Sequence, residues 1–122
     1  MFELSNLNAA SGQILLRSPR VAFPKTAVGK TSSFQLAIRN TGKGQLTGTV
    51  APPPAPFGLK GSGSFNLAPR TQTTVTLTFT PTVSTRVHRA DTVTSSSHHH
   101  STVKLHLCGI GIPVPTARLA LK

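Results

Sequence analysis

Acid is what this 122-residue chain has least of. Its side-chain carboxylates are Glu3 and Asp91 alone, 88 positions apart. No acid/base pair and no Ser-His-Asp set can be assembled from them, so the sequence is not expected to encode an enzyme, and no catalytic residue is assigned. Cysteine is nearly as scarce. Cys108 is the single copy, which excludes an internal disulfide and favours a reducing compartment. Tryptophan and tyrosine are absent, and Phe34 and Phe79 sit in a core phase, so a platform for stacking nucleic-acid bases is missing. No apolar run approaches the ~20 residues of a membrane span. Residues 1–8 carry Glu3 and lack the basic start of a secretory leader, so the expected location is inside a cell. Gly58, Gly61 and Gly63 are not followed by a helix that would hold a phosphate, and no amphipathic helix offers itself to a membrane surface.

Base is what the chain has in excess. Thirteen lysines and arginines bring the formal net charge to +11. An imbalance of that size points to an acidic partner: an acidic protein surface, an anionic membrane, or nucleic acid such as RNA held through its phosphates. Arg39 and Lys104 fall on the outward phase of strands. Arg17, Arg20, Lys43 and Arg86 fall at strand ends and turns. These six form the expected partner-binding set.

The hydropathy pattern is that of strands throughout. In residues 67–81 (LAPRTQTTVTLTFTP), Val75, Leu77 and Phe79 alternate with threonines between two prolines. A period of two buries one face, and the flanking prolines cannot join a ladder. Residues 32–40 (SSFQLAIRN) repeat the pattern with Phe34, Leu36 and Ile38. Residues 13–17 and 20–23 read as an edge strand broken at Ser18-Pro19, and residues 27–30 as a turn. Residues 46–50, 57–59 and 64–67 are short strands. Pro52, Pro53, Pro54 and Pro56 form an extended connection. Residues 101–109 point Val103, Leu105 and Leu107 inward and Lys104, His106 and Cys108 outward. Residues 83–97 keep an uncertain register, because Arg89 and Asp91 share the phase of Val87 and Val93. A bulge, an edge position or an Arg89–Asp91 pair would account for it. The expected architecture is all-β: an immunoglobulin-like sandwich of about seven to eight short strands over residues 13–115, with an arm at 1–12 and a tail at 116–122 that adds a short strand at 117–121.

Two further groupings bear on chemistry. Cys108 and His106 share a face, which permits a thiol–imidazole pair, although a lone strand cysteine is far more often a filler. If the last hairpin turns near Ser97, His88 lies opposite His106 with Cys108 close by. That would bring together two or three zinc-type ligands. The triplet His98-His99-His100 splays apart and is a poor chelate, so it reads as a flexible polar hairpin tip. No metal or cofactor is assigned.

An ordered set of short motifs carries a family likeness. Val21-Ala22-Phe23 precedes Val28-Gly29-Lys30, and a strand then ends in Asn40-Thr41-Gly42. Phe65-Asn66-Leu67-Ala68-Pro69 leads into a strand ending in Phe79-Thr80-Pro81, and Gly109-Ile110-Gly111 closes the last strand. The Asn-Thr-Gly turn is expected to need residues tolerant of positive φ. This order resembles the Hydin-type immunoglobulin-like module, the ASH domain, related to the major sperm protein fold. Asp91 departs from the pattern, which places an apolar residue there. The resemblance implies a non-enzymatic building block of cilia, flagella or centrosomes that binds microtubule-associated structures. On that reading the chain is a cytoplasmic axonemal or cytoskeletal scaffold within a large complex, docking its basic surface on microtubules or ciliary proteins. The alternatives are a structural RNA-binding protein of a ribonucleoprotein particle and a lattice-decorating module that pairs through its edge strands.

Overall fold

Alternation builds the first sheet. The computed structural model describes residues 11–17 and 19–114, so most of the expected arm, the tail and its strand at 117–121 lie outside the described residues. β8 (Gln72–Phe79) buries Val75, Leu77 and Phe79, and β4 (Ser32–Asn40) pairs with it antiparallel along its length, setting Leu36 against Val75 and Phe34 against Leu77. β1 (Ile14–Leu16) joins the far edge of β4 and β6 (Phe57–Lys60) the far edge of β8, giving the order β1-β4-β8-β6.

The second sheet is built on the longest strands. β10 (Thr102–Ile112) and β9 (Arg86–Ser95) form an antiparallel hairpin in unbroken register, with Leu105 opposite Asp91 and Leu107 opposite Arg89. On the other side of β10 run β2 (Arg20–Ala22) and β3 (Thr26–Ala27), both parallel to it. β5 (Leu46–Val50) pairs with β9 and β7 (Ser64–Leu67) with β5. The sandwich is thus all-β, with ten strands among the described residues where about seven to eight were expected. Three strands of three residues or fewer account for the difference. Pro19 does more than interrupt one edge strand: β1 belongs to one sheet, and β2 and β3 to the other. The prolines of residues 51–56 likewise lie where the chain crosses between sheets, from β5 to β6, with a cis peptide at Ala55–Pro56.

Aromatic rings fill the space between the sheets. Phe23, Phe57 and Phe79 lie within 5.1–5.6 Å of one another by ring centroid, and half-buried Phe34 meets Phe23 edge-on at 6.2 Å. Such offset and edge contacts add to the burial itself. Gly109 lets the Phe79 ring lie against β10, since a Cβ there would stand 2.6 Å from the ring.

The Asn40-Thr41-Gly42 turn obeys a different logic from the one expected. Positive φ is found at Gly29, Gly61, Gly63, Arg70 and His100, not in this turn. Asn40 is instead a fully buried hub. Its Oδ1 accepts from Gln13 N (3.1 Å) and Gly42 N (2.9 Å), and its Nδ2 donates to the carbonyls of Gly44, Leu67 and Ala68. One amide side chain has the donors and acceptor needed to tie three chain segments together in the interior. Gly42 is required by close approach, because a Cβ there would run into the Ser11 carbonyl.

Candidate functional site

Side chains on β9 and β10 alternate between the core and the solvent, and the outward positions carry the charge. Along β10 these are Lys104, His106 and Cys108; along β9, Arg86, His88 and Ala90; along β2, Arg20 and Ala22. Register arranges them in rows across the sheet. Arg20, His106 and Ala90 form one row, and Ala22, Cys108 and His88 the next. The two alanines stand diagonally between long side chains, so the face sinks into a shallow concavity of about 540 Å³ lined by both rows.

This register corrects the expected neighbours. His88 stands opposite Cys108, and His106 opposite Ala90, a shift of two residues from the His88–His106 pairing. No group of three histidine, cysteine or carboxylate side chains converges as a metal would require among the described residues. The reason lies in the hairpin tip, which is longer than a turn at Ser97 allows. The tip is also tied down. His98 N donates to the Gly12 carbonyl at 3.0 Å, Ile14 N donates to the buried Ser97 hydroxyl at 3.0 Å, and Ser97 Oγ donates to the His99 carbonyl. Gln13 and His99 exchange two longer bonds of 3.3 Å.

Of the six expected partner-binding residues, the structure brings three together. Arg20, Arg86 and Lys104 share the outer face of the six-stranded sheet and are exposed. Arg39 lies on the opposite sheet, half-buried beside Gln72, with Nη1 donating to Oε1 at 3.5 Å. Lys43 stands in the turn after β4, beside a second hollow of about 330 Å³ lined also by Gln13, His98 and His99. Arg17 follows β1, away from the basic face. The face also holds His88 and His106, which a charge count with neutral histidines leaves out, with exposed Arg89 beside them. Alternation along β9 and β10 was the signal for the two histidines.

Arg89 and Asp91 take unequal roads from the same phase. Arg89 turns outward, and its Nη1 donates to the His88 carbonyl at 2.8 Å instead of pairing with Asp91. Asp91 points inward and is buried. Its Oδ1 accepts from Thr92 N at 2.8 Å, where β5 has left β9, and its Oδ2 has no partner. Burial pushes this carboxyl above its ordinary value, and the Thr92 bond offsets part of that rise. The register is regular here, so no bulge explains Asp91. The carboxylate caps the end of a ladder. It cannot serve the outer face, and no described carboxylate balances the bases there.

Comparison with known proteins agrees with this fold. The model of the ASH family, described as abnormal spindle-like microcephaly-associated, ASPM-SPD-2-Hydin, matches residues 13–103. The chain belongs to the ASH family. Among solved structures, this ASH domain is similar to the ASH/PapD-like domain of human CEP192 (PapD-like domain 7), with a TM-score of 0.73 at 20% identity, covering 86% of this chain and 89% of that one. It is similar to a protein of unknown function from Porphyromonas gingivalis, with a TM-score of 0.70 at 16% identity, covering 84% of this chain and 48% of that one. The MSP family member WR4 of C. elegans matches with a TM-score of 0.54 at 8% identity, over 81% of this chain and 97% of that one. At these identities the likeness is one of fold. No curated protein matches the chain.

Proposed function

We propose that this ASH domain is a non-enzymatic scaffold module of a cilium or flagellum, docking on microtubules or microtubule-associated proteins through the outer face of its six-stranded sheet. One observation carries the reading: Arg20, Arg86, Lys104, His88 and His106 stand on one face with no described carboxylate among them. A surface of one sign attracts its opposite and repels its like, which favours an acidic lattice as partner. The family supports the setting, since ASH domains occur in cilium- and centrosome-associated proteins. The fold supports the scaffold role, because outward side chains of a sheet present a fixed array of charges.

Co-sedimentation of the full chain with microtubules over a salt series, with RNA as competitor, tests the proposal. Binding is expected to fall steeply with salt, as exposed charges are screened over about 8 Å at physiological ionic strength, yet to persist when RNA is added. Release by low concentrations of RNA would overturn it in favour of phosphate binding driven by charge alone.

A further inference from the structure

β9 is longer than the strand that covers it. β5 pairs with β9 only from Val93 to Ser95, and one more bond, Ala51 N to the Thr92 carbonyl, closes that ladder. Beyond it, β9 runs on through residues 86–90 with β10 on one side and, among the described residues, no strand on the other. The Thr92 carbonyl faces β5, so by strand alternation the main-chain groups of Ala90, His88 and Arg86 face the open side. Of these, the His88 carbonyl is occupied by the Arg89 guanidinium. Arg86, His88, Arg89 and Ala90 are exposed. The edge is open, and it is lined by positive charge.

We propose that residues 86–90 of β9 receive an extended acidic segment of a partner protein as an added antiparallel strand, with carboxylates at alternate positions of that segment. The inference rests on the basic-face reading above and names how the partner is held. Main-chain bonds to Arg86, His88 and Ala90 supply the pairing, and displacement of the Arg89 guanidinium from the His88 carbonyl frees the carbonyl to accept from a partner N–H and the guanidinium to donate to a partner carboxylate. Side chains of the added strand alternate, so every second one lies on the basic outer face, spaced by about 6.8 Å. A glutamate opposite Ala90 meets the one small side chain on β9's outer edge. It leans across Ala90 into the concavity toward His106 and Arg20, which continue that row. A carboxylate two positions away stands beside His88, and the next beside Arg86. A second copy of this chain is the wrong occupant, because edge-to-edge pairing would set Arg86, His88 and Arg89 against their duplicates.

The probe is a short fluorescein-labelled peptide alternating glutamate with valine. Two controls accompany it: the same composition with the glutamates contiguous, and the alternating peptide N-methylated at the amides that would face β9. Anisotropy is expected to show the alternating peptide binding the full chain about tenfold more tightly than the N-methylated control, the loss of one to two main-chain bonds, and more tightly than the contiguous control, whose carboxylates fall on both faces of the strand. In spectra of the ¹⁵N-labelled chain, the amides of His88 and Ala90 are expected to shift and to gain protection from exchange. Ala90→Pro removes a donor on the open side of the strand, where proline is tolerated, and is expected to abolish that preference while thermal unfolding shows the fold intact. Equal binding of all three peptides, weakened only by salt, would overturn strand addition and leave basic-face docking standing. Absence of acidic-peptide binding in a chain that still sediments with microtubules would do the same. A peptide that binds as expected to a chain that does not sediment with microtubules would support the edge and overturn the proposed lattice.

Discussion

Asp91 shows how far a single side chain can run against its surroundings. It occupies an inward position between Val87 and Val93, where its two oxygens fare differently: Oδ1 caps Thr92 N, and Oδ2 is buried without a partner. Its carboxyl holds a proton more tightly in the fold than in the unfolded chain. The folded state therefore binds more protons across the window between the two values, and stability falls as pH rises through it. Asp91→Asn keeps an oxygen for Thr92 and removes the charge. The variant is expected to match the parent at the acid end and to gain about 1 kcal/mol or more on it by neutral pH. Thermal unfolding of both proteins across that pH range measures the difference. A gap that does not widen with pH would show that the carboxyl's charge is not what strains this position.

At the scale of elements, legibility depended on distance along the chain. β4 and β8 could be read because alternation is local: Leu36, Ile38, Val75 and Leu77 announce their faces without reference to anything else. The parallel pairing of β2 and β3 with β10 could not, since it joins residues more than eighty positions apart. The same limit moved His88 from His106 to Cys108. Which face each residue takes survives a two-residue slip, so the outward set was legible while its rows were not. The register follows from a hairpin tip held by residues 12–14 as well as by its own turn residues, and Asn40 likewise serves contacts invisible in its local motif. The tip makes a direct test. Ser97→Ala leaves the buried Ile14 N–H without its acceptor, which is expected to cost about 1–2 kcal/mol. Hydrogen exchange should quicken at Ile14 and His98 more than at Leu36 or Leu77. Uniform quickening would mean that Ser97 supports the whole fold instead of pinning β1 to the hairpin.

For the whole molecule, the question is whether net charge or its placement selects the partner. The outer face of the four-stranded sheet is dressed mainly in hydroxyls, with Ser33 beside Thr78 and Gln35 beside Thr76, and its strands carry the bases Arg39 and Lys60, with Arg17 just past β1 opposite Ala37. The β2–β10–β9 face carries Arg20, Arg86 and Lys104 with two histidines. Paired charge reversals separate the two explanations, since Arg20→Glu with Lys104→Glu lowers the net charge by the same amount as Arg39→Glu with Lys60→Glu. All four side chains reach the surface, so each double variant is expected to unfold within about 1 kcal/mol of the parent. Local fields decide binding when charges lie within a screening length of the partner. The Arg20/Lys104 variant is therefore expected to lose about tenfold or more in microtubule affinity and to flatten the salt dependence, while the Arg39/Lys60 variant changes by about twofold. Equal losses would mean that microtubules sense only the total charge, and the basic face would then have no privileged role. A larger loss from Arg39 and Lys60 would move the docking surface to the hydroxyl-rich sheet.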